Sequence, residues 1–125
     1  MATKAKAQQH KKVSEAHLRF VRMAPRKLAD VVALVRGKPV GAALNILRFT
    51  KRAAAEPVAK LIKSAVANAS DLSKGQVDVD ALYVATISVD QGPMAKRFLA
   101  RAMGRATPVH KKSSHVHVIL AEGKR

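Results

Sequence analysis

The sequence predicts an α+β fold in which three helices pack on one face of a small three-stranded, mostly antiparallel sheet, with a long β-hairpin protruding from it. Its apolar residues follow a strand period once, then a helical period three times, and finally a strand period twice. A length of 125 residues suits one hydrophobic core. The last two predicted strands are separated by a segment far longer than an ordinary hairpin loop of about 2–5 residues, which indicates the protrusion.

The first predicted elements are a strand and the helix that follows it. Residues 13–23 partly alternate between apolar and polar side chains, with Leu18 and Phe20 expected on the same face. Pro25 is expected to open the first helix, because its fixed backbone suits the first helical turn. That helix should end just before Gly37, a residue that suits the left-handed position after a helix.

Two further helices are predicted in the middle of the chain. A short helix is expected from about Pro39, and Thr50 is a suitable N-cap for the next one. The apolar stripe of residues 58–69 is the strongest helical signal in the sequence. Pro57 lies inside this third segment, so the helix either kinks there or begins near Glu56.

The C-terminal half is predicted to contain a loop, two strands and the hairpin between them. Residues 70–80 are polar and rich in turn formers, which predicts a loop. Residues 81–90 and 115–120 are rich in β-branched side chains and predict strands. If the segment between them continues as two paired arms, roughly ten residues per arm would project about 30 Å.

These elements divide the chain into three predicted parts. Residues 1–12 are interpreted as a basic, flexible N-terminal arm. Residues 13–121 are interpreted as a single α+β domain that includes an extended hairpin loop at residues 91–108, and residues 122–125 as a C-terminal tail.

The composition favours a nucleic-acid partner. The formal net charge is +16 and the pI is near 11.1, so an anionic partner would relieve self-repulsion. The chain has no cysteine, which excludes disulfides and thiolate chemistry. No stretch approaches the roughly 20 apolar residues of a membrane span, and the N-terminus lacks the apolar core of a secretory signal. We therefore predict a cytoplasmic protein without a membrane partner.

Two clusters of cations are the candidate nucleic-acid contacts. The chain has no acidic residue between Asp90 and Glu122, so nothing nearby in sequence neutralises the cations of this segment. Arginine suits bidentate contacts with phosphate, and the apolar residues between the cations suit packing against bases or sugars. The candidates in and beside this segment are Lys96, Arg97, Arg101, Arg105, His110, Lys111 and Lys112. The candidates in the N-terminal part are Lys11, Lys12, Arg19, Arg22, Arg26 and Lys27.

Histidines near the C-terminus raise the question of a metal site. His115 and His117 share one face of the last predicted strand, but a site needs a third or fourth ligand, and no cysteine or acidic residue is nearby in sequence. We therefore predict no metal and no cofactor, and expect histidines such as His110 to bind phosphate or face solvent. No catalytic motif appears, so no catalytic residue, small-molecule substrate or enzymatic activity is predicted.

Several short motifs together make the chain resemble a known family. They are PRK at 25–27, RGK at 36–38, ANA at 67–69, GP-x-x-KR at 92–97, RA-x-GRA at 101–106 and SH at 114–115. Over about residues 16–121 the chain resembles bacterial ribosomal protein twenty-two of the large subunit. Each motif is weak alone, and their combination is specific.

The resemblance implies a structural, non-enzymatic protein of the cytoplasmic, bacterial-type ribosome that binds large-subunit rRNA. It implies a compact domain on the subunit surface and a hairpin that reaches the peptide exit tunnel, with neighbouring ribosomal proteins and the nascent polypeptide as further partners. On the matched motifs, Ser114 and His115 join the expected RNA contacts, together with Arg26 and Lys27. The tunnel-lining tip would comprise Gly92, Pro93, Met94, Ala95, Lys96, Arg97, Phe98, Leu99, Ala100, Arg101, Ala102, Met103 and Gly104.

Two other functions compete with this interpretation. A DNA-binding architectural protein could insert a basic hairpin into a minor groove, although such proteins usually dimerise and no apolar seam beyond one core is evident. An RNA-modifying enzyme would need an acid–base pair or a cofactor motif, and the sequence has neither.

Overall fold

A computed structural model describes residues 11–123, which form eight main elements. In chain order these are β1 (Lys12–Val21), α1 (Pro25–Val35), α2 (Val40–Phe49), α3 (Ala55–Leu72), β2 (Leu82–Gln91), β3 (Ala95–Ala100), β4 (Ala106–Lys111) and β5 (Ser114–Glu122). The predicted arm of residues 1–12 lies outside the described residues except for Lys11 and Lys12, and Lys12 is the first residue of β1. None of the helices described is long and apolar enough to cross a membrane.

The body of the protein is built on a three-stranded sheet in the order β1-β5-β2. Both pairings are antiparallel, as predicted. On the central strand β5, Val116, Val118 and Leu120 are buried and alternate with half-buried residues. The helices cover one face of this sheet, and the other face carries the polar side chains. The predicted α+β fold is therefore confirmed.

The first helix agrees closely with the sequence prediction. Pro25 is its first residue, and at this position a backbone N–H would have no acceptor within the helix, so proline costs no hydrogen bond. Gly37 has a φ of 74°, the left-handed conformation expected just after a helix. Its backbone N–H donates to the carbonyl of Val84 on β2 at 2.9 Å, so the turn also attaches α1 to the sheet.

The start of the third helix corrects the prediction. Thr50 does not cap α3. It ends α2, and its hydroxyl donates back to the carbonyl of Ile46 at 2.7 Å. The helix α3 begins at Ala55, so Pro57 falls in the first turn and causes no kink, in agreement with the alternative start near Glu56. At its other end α3 continues to Leu72, and the loop predicted for residues 70–80 begins later than expected.

The core lies between the helices and the sheet and is aliphatic. Helix α3 supplies the largest share, with Val58 and Ile62 fully buried. Ser14 on β1 is buried among these side chains, and its hydroxyl donates to the carbonyl of Ala65 at 2.8 Å. A buried hydroxyl without a partner would be costly, so this bond fixes β1 against α3.

The end of β1 corrects a second prediction. Leu18 packs partly against the core, whereas Phe20 is 63% exposed and has a φ of 57°. The pairing register with β5 shifts between Leu18 and Val21. This irregularity rotates Phe20 out of the strand alternation, so the two side chains do not share a face.

The hairpin consists of β3 and β4, which form a two-stranded antiparallel sheet of their own. Each arm has six residues, so the regular part is roughly 20 Å long. This is shorter than the projected length because residues 92–94 and 112–113 interrupt the strands where the hairpin leaves the body.

Candidate nucleic-acid interface

The hairpin presents cations that no acidic side chain neutralises. Lys96 and Arg97 on β3 and Arg101 and Arg105 at its far end are all exposed. Within residues 11–123, the ion pairs involve Lys12, Arg52, Lys60 and His117, all of which belong to the body. The guanidinium of Arg97 donates only to the carbonyl of Lys96, at 2.8 Å. These charges therefore remain available to an external polyanion.

Both faces of the hairpin combine cations with apolar side chains. Lys96 pairs with His110 across the two arms, and Phe98 follows on the same face. On the opposite face Arg97 alternates with Leu99. Phe98 is 78% exposed, which is unusual for a large aromatic side chain. Such a surface can attract phosphates and also stack or pack against bases and sugars.

The tip of the hairpin is a tight turn formed by Arg101–Arg105. The N–H of Arg101 donates to the carbonyl of Arg105 at 2.8 Å and closes the turn. Met103 and Gly104 both have left-handed backbones, with φ of 60° and 67°. Met103 is 95% exposed at the apex. The backbone thus holds an apolar side chain at the apex, between two arginines.

The base of the hairpin is a close contact between its two arms. The N–H of Gly92 donates to the carbonyl of Ser113 at 2.9 Å. A Cβ on Gly92 would lie 2.6 Å from the hydroxyl oxygen of Ser113, so a larger residue at this position would force the Ser113 side chain to move. Gly92, Pro93 and Met94 of the predicted tip range therefore lie at the base of the hairpin.

The second basic cluster meets the base of the hairpin. A groove of about 660 Å³ has basic groups from α1, from the loop before α3 and from the end of β4. Its cationic and histidine residues are Arg22, Lys27, Arg52, His110, Lys111 and Lys112. A neighbouring groove of about 760 Å³ shares three of these and adds Arg97. Two cations of the N-terminal cluster, Arg22 and Lys27, thus join the hairpin cations Arg97, Lys111 and Lys112 in one continuous basic surface.

Arg52 is a member of this surface that the sequence did not reveal. It stands in the loop before α3 and pairs with Asp30 of α1 at 3.1 Å, with both side chains more than half exposed. Nothing in the local sequence connects Arg52 with Arg22 or Lys27. Only the packing of α3 beside the start of α1 places the three together.

The start of α1 adds to the positive potential. Its first turn has no acidic residue and contains the exposed Arg26 and Lys27. Two cations at the positive end of a helix dipole repel it. A bound phosphate would compensate both the side chains and the dipole.

Three predicted RNA contacts have other roles in the structure. Ser114 is fully buried, and its hydroxyl donates to the carbonyl of Met23 at 2.6 Å, so it is a structural residue. The Nδ1 of His115 accepts the N–H of Phe20 at 3.0 Å, and the two rings meet edge to face. Lys12 pairs with Glu15 at 2.7 Å. Lys11, the first residue that the structure describes, is exposed.

Arg19 is also separated from the main surface. It is exposed, and it lines a small groove of about 280 Å³ together with Asp90, His115 and His117. This groove lies on the face of the sheet that the helices leave uncovered. Arg19 therefore points away from Arg22 and Lys27, although the three are close in sequence.

The expectation that no acidic side chain accompanies the histidines is wrong. Strand pairing places His17 directly opposite His117. Their rings stack at a centroid distance of 4.3 Å, and the Nε2 of His117 lies 3.3 Å from a carboxylate oxygen of Glu15. Hydrogen bonds from Lys12 and then from His117 lower the pKa of Glu15. Neighbours across a sheet are invisible in local sequence spacing.

Comparisons with known proteins agree with the geometry. The family described as Ribosomal protein L22p/L17e matches residues 16–121. A protein of Myxococcus xanthus called Large ribosomal subunit protein uL22 is 74% identical over 112 residues, which cover 90% of this chain and 98% of that protein. Proteins of the same name from Anaeromyxobacter dehalogenans and Geobacter sulfurreducens are 56% and 54% identical, over 88% and 87% of this chain and 75% and 96% of theirs.

Proposed function

This chain belongs to the Ribosomal protein L22p/L17e family, and we propose that its basic surface and hairpin are the parts that bind rRNA in the large ribosomal subunit. Membership makes the chain a structural, non-enzymatic constituent of the large subunit of the bacterial, cytoplasmic ribosome. Its partners are therefore rRNA and other ribosomal proteins. The residues that make the contacts, and the part played by the hairpin tip, are what we propose here.

One observation carries the assignment of the hairpin. Its cations are exposed and form no ion pair with any acidic residue that the structure describes. Its apolar side chains Phe98 and Met103 are exposed as well. The cations of the hairpin repel one another, and its apolar side chains are not buried. Contacts within the protein therefore stabilise the hairpin little. It becomes favourable when phosphates screen the cations and bases or sugars cover the apolar side chains.

The division between the base and the tip supports a two-part interface. The base joins the groove that contains Arg22, Lys27 and Arg52, so we propose that this part holds rRNA against the body. The distal part, residues 96–104, is exposed and takes no part in the core of the body, and we propose that it extends through rRNA to the wall of the peptide exit tunnel. There Met103 would face the nascent polypeptide.

Salt dependence of RNA binding tests the first part of the proposal. The variant K96Q/R97Q/R101Q/R105Q removes four cations from the hairpin. Each phosphate contact contributes about 0.7–0.9 to the slope of log affinity against log salt, so we expect the slope to fall by on the order of 3. Filter binding or fluorescence anisotropy with a large-subunit rRNA fragment measures this slope.

A matched variant controls for total charge. R48Q/K51Q/K63Q/K74Q removes four exposed cations from the helical side of the body. It should change the slope much less. If both variants lose the same slope, net charge alone explains binding, and the hairpin has no special role.

Photo-crosslinking tests the position of the tip. A benzophenone amino acid at position 103 of the assembled subunit should crosslink to a nascent chain during translation. The same group at Phe49, which is 79% exposed on the body, should not. If position 103 crosslinks only to proteins on the outer surface of the subunit, the tunnel proposal is wrong.

The alternative of a DNA-binding architectural protein loses its support once the family is known. A competition assay still separates the two directly. Structured rRNA should displace duplex DNA from the chain, and preferential retention of duplex DNA would reverse the assignment.

A further inference from the structure

The face of the sheet that the helices leave uncovered carries a compact group of ligand atoms. Glu15 and His17 stand two residues apart on β1, so they share a face. His117 on β5 is the direct partner of His17. One ligand atom from each of the three side chains lies within 4.8 Å of the other two. We call these three residues the Glu-His-His group.

We propose that the Glu-His-His group binds a Zn²⁺ ion, with two imidazole nitrogens and one carboxylate oxygen as protein ligands and a water molecule in the fourth position. This site has no part in the proposed RNA interface. Imidazole and carboxylate are both common zinc ligands, and three protein ligands with an open fourth position form a known class of zinc site. The same donor set would also take Co²⁺, Ni²⁺ or Cu²⁺.

The distances require only small adjustments. Zinc lies about 2.0–2.1 Å from each nitrogen or oxygen ligand, so ligand atoms at a tetrahedral centre are roughly 3.4 Å apart. The Nε2 of His117 and the Oε2 of Glu15 already have a separation of 3.3 Å. The ligand nitrogen of His17 is within 4.8 Å of both, so it must approach them by at most about 1.4 Å. The His17 ring must also turn out of its stack on His117, because two parallel imidazole rings cannot both direct an in-plane lone pair at the same ion. The exposed position of His17 leaves room for this rotation about its side-chain torsions.

The surroundings of the group keep the ligands in place without closing the site. Glu15 and His117 are half-buried, which limits their rotamers, whereas His17 is exposed and leaves a path for a metal ion. The ammonium of Lys12, 2.7 Å from the carboxylate of Glu15, is the charge that an ion must displace. Lys12 has a flexible stem and half its surface is exposed, so its displacement costs little.

Bound zinc would have a mechanical consequence for the sheet. β1 is an edge strand, and its register with β5 is irregular at both ends of the pairing. A metal that joins Glu15 and His17 to His117 would crosslink the edge strand to the central strand between these irregularities. Because the ion binds the folded chain only, it should raise the unfolding temperature.

The test uses the purified full chain and Zn²⁺ alone. Isothermal titration calorimetry should show saturable binding of one ion per chain at neutral pH. H17Q and H117Q should each weaken this binding by on the order of tenfold or more, because each removes a ligand. H110Q is the matched control, since His110 is exposed on the hairpin and lies outside the Glu-His-His group. The H110Q variant should bind Zn²⁺ with the affinity of the wild type.

A second measurement does not depend on the stability of the variants. In NMR spectra of the wild-type chain, Zn²⁺ should shift the ring resonances of His17 and His117 and leave those of His110 in place. Unchanged resonances for His17 and His117 at saturating Zn²⁺, or undiminished affinity in the folded H17Q/H117Q double variant, would overturn the proposal.

Discussion

The body and the hairpin of this protein differ in how many of their side chains are buried and in how their charges are paired. The body buries an aliphatic core between three helices and a sheet, and all the ion pairs found in residues 11–123 lie there. Ten of the twelve residues in the two strands of the hairpin are exposed, and these strands have no acidic residue and no share in the core. Its cross-strand hydrogen bonds define its shape, while its charges and apolar side chains are exposed to solvent.

The difference separates the residues that stabilise the fold from the exposed cations that we propose to bind rRNA. Ser114 and His115 stand at the border, where β5 enters the body directly after the hairpin. Both have partners within the protein. The border between the two regions is therefore sharp.

The largest expected effect tests this separation with apolar truncations. Ile62→Ala removes a fully buried side chain from α3 and should lower the free energy of unfolding by about 2–5 kcal/mol. Phe98→Ala removes an even larger apolar side chain, but this side chain is exposed on the hairpin. The substitution should therefore change the free energy of unfolding by less than about 0.5 kcal/mol. Urea denaturation of the two purified variants measures both values. A similar loss from both would show that the hairpin contributes to the fold of the body.

The next effect concerns the border between the regions. Ser114→Ala removes a buried hydroxyl and leaves the carbonyl of Met23 without its partner, which should cost about 1–3 kcal/mol of unfolding free energy. The salt slope of RNA binding should stay at the wild-type value, because the hydroxyl is fully buried. Ser64→Ala, an exposed serine on α3, is the control for stability. If Ser114→Ala lowers the slope and leaves stability intact, the residue is an RNA contact after all.

The sequence predicted the body better than its connections. Local periods and proline positions identified all three helices and the three strands of the main sheet. Thr50 was misassigned because the same side chain can begin one helix or end another, and only its distance to Ile46 distinguishes the two. Phe20 was misassigned because a register irregularity has no local signature.

The candidate site was predictable where charge alone matters. The exposed cations of the hairpin follow from composition, since a segment without acids cannot neutralise them. The junction of Arg52 with Arg22 and Lys27, and the approach of Glu15 to His117, depend on tertiary packing and strand pairing. Residues far apart in sequence carry no local mark of such contacts.

The smallest expected effect tests the contrast in charge pairing. Lys12 and His117 hydrogen-bond to Glu15 and lower its pKa in the folded state. Such a carboxyl contributes stability above its unfolded pKa, and this contribution is lost as the pH falls through the folded pKa. Glu15→Gln should therefore make the decline of stability in acid shallower, by a small amount because the pair is exposed to solvent. Lys96→Gln should leave the acid slope unchanged, since among residues 11–123 no carboxylate pairs with Lys96. Urea denaturation at several acidic pH values in metal-free buffer measures the slope of the unfolding free energy against pH for each variant. An equal change in both variants would mean that net charge, and not the Glu15 contacts, sets the pH dependence of the body.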